Sequence, residues 1–133
     1  MLHLYPAFVT CLALLVYCWT FVAVARARSK YGVVAPATTG NPDFERMMRV
    51  QMNTVEQLVL FLPSLWIFSL FISQPIGAVL GLIWVVGRIL YNLGYYSAAT
   101  RRGPGFMISG VAALILLIGG LIGVLGFMTG MRV

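Results

Sequence analysis

The chain has 133 residues, of which 61% are hydrophobic and only 9% charged, and its mean hydropathy is +0.96. This composition is far outside the averages for soluble domains and excludes a soluble globular enzyme. The formal charge of +6 comes from nine lysines and arginines against three acids, but the cations flank apolar segments and form no soluble basic face, so we expect no nucleic-acid partner.

Four apolar segments account for nearly the whole chain. A membrane-spanning helix needs about 20 predominantly apolar residues, and segments of that length can be placed at roughly residues 2–25, 50–72, 76–100 and 104–130. The sequence therefore predicts an all-α integral membrane protein. Residues 1–133 are expected to form one domain, a bundle of four transmembrane helices with short connections.

The first predicted helix is apolar on all sides and ends in a basic run, Arg26, Arg28 and Lys30. Such cations at a membrane boundary commonly extend their charged heads into water. Alternatively, one of the three points into a ligand site. No cluster of cysteine and histidine is spaced for a metal ion, so we expect no metal site.

The second predicted helix has a well-marked beginning. Residues 31–40 are polar and rich in glycine and proline, which predicts a loop. Asn41 follows as a candidate N-cap, with proline at the first helical position and Asp43 in the first turn, where the helix dipole favours an acid. The helix is therefore expected to begin in water, several turns before the bilayer. Pro63, inside it, predicts a kink.

A stripe of polar residues runs along one face of this second helix. Arg49, Asn53 and Glu56 are spaced i, i+4 and i+7, so all three leave a helix by one face. An ionised carboxylate in a segment of hydrocarbon length costs several kcal/mol or more unless it is paired. The stripe therefore indicates a functional site.

The third helix carries a second stripe at i, i+3, i+7 and i+14, formed by Arg88, Tyr91, Tyr95 and Arg102. An interfacial aromatic belt would explain the tyrosines alone. It does not explain Arg88, which lies more than two turns inside the predicted boundary and needs a partner. Glu56 is the only acid near the membrane that could provide one.

The last connection and the fourth helix are rich in glycine. Gly103-Pro-Gly105 predicts a tight turn. The fourth helix has no ionisable residue before Arg132, and its small residues are Gly119, Gly120, Gly123, Gly126 and Gly130. Such residues permit close helix contact, so we expect packing or oligomerisation here without chemistry.

The cations are distributed unevenly among the connections. The first and third connections are basic, whereas the second, around Gln74, has no lysine or arginine. By the positive-inside rule, the first and third connections face the cytoplasm and both termini face the other side. We expect a multi-pass protein of a bacterial inner membrane rather than of the endoplasmic reticulum.

Three stretches together resemble a known family. They are Thr38 to Arg46 with its Gly-Asn-Pro-Asp core, Arg49-x-Gln-x-Asn53-x-x-Glu56, and Arg88-x-x-Tyr91-x-x-Gly-Tyr95 followed by Arg102. The pattern is similar to the MAPEG family, the membrane-associated proteins of eicosanoid and glutathione metabolism. It is most similar to the branch of microsomal glutathione transferase two and leukotriene C synthase.

The resemblance implies a homotrimer of four-helix subunits, with glutathione held between neighbouring subunits near the cytoplasmic face. By position in the motif, the glutathione-binding residues are Arg28, Arg49, Gln51, Asn53, Glu56, Arg88, Tyr91 and Tyr95. Arg102 matches the arginine that activates the glutathione thiol. Glutathione carries two carboxylates and one ammonium group, and several arginines with one acid suit that charge pattern.

The implied activity is that of a membrane-bound glutathione transferase, a glutathione-dependent peroxidase, or both. Its second substrate would be a hydrophobic electrophile or a lipid hydroperoxide that arrives through the membrane lipid. Gln57 and Ser29 replace a tyrosine and an arginine of the leukotriene-forming members, and the fourth helix lacks tryptophan. These differences favour a broader transferase or peroxidase.

Two other functions fit parts of the sequence. A non-catalytic lipid-binding scaffold exists in the same family, but a scaffold would not need the thiol-activating Arg102. A small proton-coupled multidrug exporter would use one membrane carboxylate, for which Glu56 is the candidate. Arginines around that carboxylate would repel cationic drugs, which argues against an exporter.

Overall fold

The computed structural model describes residues 2–131 and contains four long helices. They are α1 (Leu4–Tyr31), α2 (Pro42–Phe71), α3 (Gln74–Ser97) and α4 (Gly103–Met128), and a 3-10 helix (Ala99–Arg102) precedes α4. Each long helix is apolar enough to cross a membrane, and no strand occurs within residues 2–131. The predicted all-α class and four-helix bundle are confirmed. Arg132 lies outside the described residues.

Helix α1 is longer than the apolar segment predicted at residues 2–25, because it includes the whole basic run and continues to Tyr31. It ends at Gly32, whose backbone has the left-handed φ of 67° and whose N–H donates to the carbonyl of Arg28. Its 28 residues span about 42 Å, against about 30 Å of hydrocarbon. Because the cations lie at its C-terminal end, we expect that end of α1 to extend past the apolar part of the bilayer.

The start of α2 is confirmed in detail. The side chain of Asn41 accepts hydrogen bonds from the backbone N–H groups of Asp43 (2.8 Å) and Phe44 (3.2 Å). Arg46 forms an ion pair with Asp43 at 2.6 Å, one turn into the helix. The helix runs on past Pro63, whose side chain is exposed, and the kink at Pro63 stays a prediction.

The connection between α3 and α4 differs from the expected tight turn at Gly103-Pro-Gly105. Those three residues form the first turn of α4, where proline needs no N–H partner. The reversal of direction occurs earlier, in extended Ala98 and the 3-10 helix. The sequence misled because Gly-Pro is common both in turns and at helix starts.

Glycine allows the start of α4 to contact α3 closely. A Cβ atom on Gly105 would collide with the backbone of Tyr91, and one on Gly87 would come within 2.7 Å of the Ser109 nitrogen. Gly94 likewise leaves room for the Arg101 carbonyl. These contacts fix the 3-10 helix over the end of α3.

Two glycines in the second half of α4 pack closely against the end of α2. A Cβ atom on Gly120 would lie 3.0 Å from Ile67, and one on Gly123 would lie 2.8 Å from Ile72, both in the second half of α2 or just beyond it. The parallel rings of Phe61 and Trp84, 4.0 Å apart, join α2 to α3 in the core beside this contact. These contacts confirm the packing role for Gly120 and Gly123, and a role of the glycines in oligomerisation stays a prediction.

Candidate functional site

The polar stripe of α2 faces one side of the bundle, as predicted. Arg49 and Glu56 are exposed, and Asn53 between them is half-buried. The Asn53 amide donates to a Glu56 carboxylate oxygen at 3.5 Å. The helical spacing of these residues thus places a guanidinium, an amide and a carboxylate along one surface.

Arg88 lies at the base of this surface and is fully buried, at 0% exposure. Its Nη1 donates to Asn53 Oδ1 and its Nη2 donates to Thr54 Oγ1, both at 2.8 Å. The guanidinium carbon is 4.1 Å from the centre of the Tyr91 ring. Two neutral oxygens and an aromatic face therefore replace part of the water that a buried cation loses, while Arg88 Nε has no hydrogen-bond partner among the described residues.

The expected pairing of Arg88 with Glu56 is wrong. Within residues 2–131, the only ion pair joins Arg46 and Asp43, and Asn53 stands between Arg88 and Glu56. The pairing failed because Arg88 reaches α2 one turn before Glu56, at the level of Asn53 and Thr54. Glu56 keeps an exposed carboxylate at the edge of the site.

Two tyrosines of α3 form a buried wall. Tyr91 is 3% and Tyr95 7% exposed, and their ring centres are 5.6 Å apart. The guanidinium carbon of Arg102, at the end of the 3-10 helix, lies 5.7 Å from the centre of the Tyr95 ring. The close packing of α3 and α4 therefore brings Arg102 above the tyrosines that its spacing predicts.

A cavity of about 350 Å³ opens among these residues. Its lining consists of Arg49, Asn53, Tyr91, Arg102, Gly103 and Phe106. The volume is at the lower end of the range for small-molecule sites. Four of the residues predicted to bind or activate one ligand thus line a single space.

The cavity is electropositive. Arg49 and Arg102 have no carboxylate partner among the described residues, and no acid belongs to the lining. Arg88 adds a third guanidinium directly beneath Asn53. Such a site favours an anionic ligand, because each unpaired guanidinium can donate two parallel hydrogen bonds to a carboxylate.

The sequence model of the MAPEG family matches residues 6–122. The chain belongs to the MAPEG family.

Relatives place it in one branch of that family. An uncharacterized protein of Synechocystis sp. is 51% identical over 122 residues, covering 92% of this chain and 89% of its own length. Human microsomal glutathione S-transferase 2 is 44% identical over 99 residues, covering 74% of this chain and 67% of its own. Guinea pig (Cavia porcellus) leukotriene C4 synthase is 36% identical, covering 84% and 74%. The predicted family and branch are confirmed.

Two predicted site residues of this MAPEG protein lie away from the cavity. Arg28 donates to the Ala37 carbonyl at 2.7 Å and lies over the Phe44 ring, so it holds the loop after α1. Gln51 is half-buried and comes two residues after Arg49, which turns it by about 200° around α2. Within one chain, neither residue meets the other predicted ligands.

The structure adds residues that the sequence analysis missed. Thr54 holds Arg88 and also donates to the Val50 carbonyl at 2.7 Å. Phe106 forms an apolar part of the cavity lining. Thr54 could have been found from the sequence, because it is a threonine next to Asn53 in an apolar helix and its hydroxyl can accept a hydrogen bond from a buried donor. Nothing in the sequence distinguished Phe106 from other apolar residues.

Proposed function

We propose that this protein is a membrane-bound glutathione transferase, with or without peroxidase activity, that activates the glutathione thiol as a thiolate. The observation that supports this most directly is the cavity shared by Arg49, Asn53, Tyr91 and Arg102. The family and the names of its relatives support glutathione as the substrate. The remaining steps follow from the chemistry of the lining.

Glutathione fits the charges of the site. Its two carboxylates require cationic donors, which Arg49 can provide at the exposed side of the cavity. Its ammonium group requires an acid, and Glu56 lies next to Asn53 at the edge. Arg88, held by Asn53 and Thr54, would fix the Asn53 amide and add positive potential below the tripeptide.

Arg102 is proposed to activate the thiol. A thiol with a pKa near 8.5 is mostly protonated at neutral pH, and a nearby guanidinium lowers that pKa because it favours the thiolate. A lowering of two units corresponds to about 2.7 kcal/mol. One unpaired guanidinium beside two buried tyrosine rings could supply this, because the surrounding dielectric is low.

The thiolate would then act as a nucleophile. With a chloroarene, sulfur forms a bond to carbon and chloride leaves with the electron pair of the broken bond. With a hydroperoxide, sulfur attacks the terminal oxygen and the alcohol leaves after taking up a proton. A second glutathione then reduces the sulfenic acid, releasing water and the disulfide. Phe106 and the apolar start of α4 would admit such a substrate from the lipid.

We further propose that the site is completed between copies in a homotrimer. Arg28 and Gln51 do not line the cavity of their own chain, which supports a site in which a neighbouring copy contributes them. The basic connections would place this site on the cytoplasmic side of a bacterial membrane.

The test is turnover by purified protein with glutathione and either 1-chloro-2,4-dinitrobenzene or cumene hydroperoxide, together with calorimetric titration of glutathione. We expect binding and turnover of at least one substrate. Glutathione binding without any turnover would instead favour the scaffold, and absence of binding at millimolar glutathione would overturn the proposal.

A further inference from the structure

A second cleft, of about 280 Å³, lies between α1, α3 and the start of α2. It shares no lining residue with the glutathione cavity. The residues that matter for its chemistry are Trp19, Ala23, Arg26, Lys30 and Tyr96. None of them has a role in the function proposed above.

Two cations border this cleft at the end of α1. Arg26 and Lys30 are four residues apart and so share one helix face, whereas Arg28 between them is engaged with the loop. Neither Arg26 nor Lys30 has a carboxylate partner in the part of the chain that the structure describes. Lys30 Nζ lies 5.3 Å from the centre of the Tyr31 ring. An anion bound between the two cations would relieve their mutual repulsion.

The deeper part of the cleft is apolar and aromatic. The rings of Trp19 and Tyr96 meet edge to face with centres 5.8 Å apart, and the small Ala23 leaves room above them on α1. The hydroxyl of Tyr96 is buried and has no hydrogen-bond partner among the described residues. Because that hydroxyl has no exposed surface, it leaves this part of the cleft wall apolar.

The charged and apolar parts are arranged along the membrane normal. Trp19 precedes Lys30 by eleven residues, which corresponds to about 16 Å along α1. The cations lie at the end of α1 that is expected to extend past the apolar part of the bilayer. Trp19 lies toward the middle of α1. This order matches a lipid, with a charged head at the boundary and a chain in the hydrocarbon.

We propose that this cleft binds one anionic phospholipid, with its phosphate between Arg26 and Lys30 and an acyl chain along Ala23 and Trp19. A soluble phosphate would leave the apolar part empty. A zwitterionic lipid would bring its own cation toward Arg26 and Lys30, so an anionic head group is favoured. The site would anchor α1 and the end of α3 to the cytoplasmic leaflet.

The experiment is native mass spectrometry of the detergent-purified protein with added phosphatidylglycerol or phosphatidylcholine. We expect a bound phosphatidylglycerol with at least tenfold preference over phosphatidylcholine, and no displacement by millimolar glycerol phosphate. Equal retention of both lipids, or displacement by glycerol phosphate, would overturn the proposal.

Variants locate the binding. Arg26→Gln should weaken phosphatidylglycerol binding about fivefold, and the double change with Lys30→Gln more than tenfold, whereas the matched control Arg101→Gln should change it less than twofold. Ala23→Leu should block the cleft with every charge retained. Circular dichroism and size-exclusion profiles confirm that each variant is folded. Equal losses in Arg26→Gln and Arg101→Gln would mean general charge attraction and would contradict a built site.

Discussion

The guanidinium of Arg88 joins α3 to α2 through the side-chain oxygen of Asn53, across 2.8 Å. Asn53 in turn donates toward Glu56 and lines the cavity. A fully buried cation is thus connected through one amide to the surface on which the ligand is proposed to bind. Substitutions of Arg88 or of its other partner, Thr54, should therefore alter ligand binding by changing the position of the Asn53 side chain.

Arg102→Ala should separate binding from activation. We expect glutathione affinity to change less than threefold, because Arg49 and Asn53 remain. The ultraviolet absorbance of the bound thiolate should disappear, and turnover at pH 7 should fall on the order of 20-fold if the thiol pKa returns by two units. Calorimetry and absorbance spectroscopy measure the two effects. Arg101→Ala, which removes the neighbouring guanidinium, is the control, and wild-type turnover in Arg102→Ala would refute the role of Arg102.

The pH dependence of turnover should shift in the same variant. In the wild-type protein the thiolate persists down to the lowered thiol pKa, so the rate should fall only as the pH drops below about 6.5. Without Arg102 the thiol pKa should lie near 8.5, and the rate should still rise between pH 7 and 9. Superimposable profiles of kcat against pH, measured at saturating glutathione, would contradict thiolate stabilisation by Arg102.

Arg49→Ala should weaken glutathione binding about tenfold or more, because a hydrogen bond to a charged group contributes roughly 1.5–3 kcal/mol. The KM for glutathione should rise while kcat changes less. Arg46→Ala is the matched control on the same helix, since Arg46 is paired with Asp43 outside the cavity. Similar KM values in both variants would exclude a specific contact from Arg49.

Thr54→Val keeps the shape of the side chain but removes the oxygen that accepts from Arg88. The unpaired guanidinium N–H should cost about 1–3 kcal/mol, lowering the Tm. The KM for glutathione should rise as well, because Arg88 also positions Asn53. Thr54→Ser retains the oxygen and should restore both values. If Thr54→Ser and Thr54→Val behave alike, packing rather than the hydrogen bond explains the effect.

Gly105→Ala should reduce turnover although residue 105 lies outside the cavity lining. A Cβ atom there would collide with the Tyr91 backbone, so α4 must shift and move Arg102. Gly110→Ala is the matched control, because a Cβ atom there meets nothing within 4 Å and alanine favours the helix by about 1 kcal/mol. Equal turnover in the two variants would show that Arg102 tolerates a displacement of α4.

Mixed oligomers test the site between copies. Arg28→Ala and Arg102→Ala chains, each expected to have low activity alone, should regain part of it when coexpressed, because some sites then combine an intact Arg28 with an intact Arg102 from another chain. Cross-linking should give a trimer. If activity in the mixture equals the average of the separate proteins, Arg28 acts only within its own chain or not at all.

The sequence predicted which helices form and which residues lie on the same helix face, because residue spacing determines the face. Asn41 was identified as a cap, and Arg49 and Asn53 were placed together on that basis. The end of α1 could not be predicted, because the residues from Arg26 to Lys30 are equally compatible with a continuing helix and with the edge of the membrane. Charged residues say where a membrane ends but not where a helix does.

The hydrogen-bond partner of Arg88 could not be predicted from the sequence for a different reason. Charge complementarity selected Glu56, whereas the relative height of α2 and α3 decides which oxygen is within reach. That height depends on core contacts such as the stacked Phe61 and Trp84, which no local pattern encodes. The same applies to Gln51, which a motif groups with Arg49 but helix geometry separates within one chain.

Because Gly120 and Gly123 pack against α2, substitutions at these positions are not a clean test of oligomerisation. Small residues repeated every fourth position are commonly mutated to probe self-association of membrane helices. Here bulkier substitutions would push α2 and α4 of the same chain apart, so a loss of oligomer after such a change would report damage to the individual subunit.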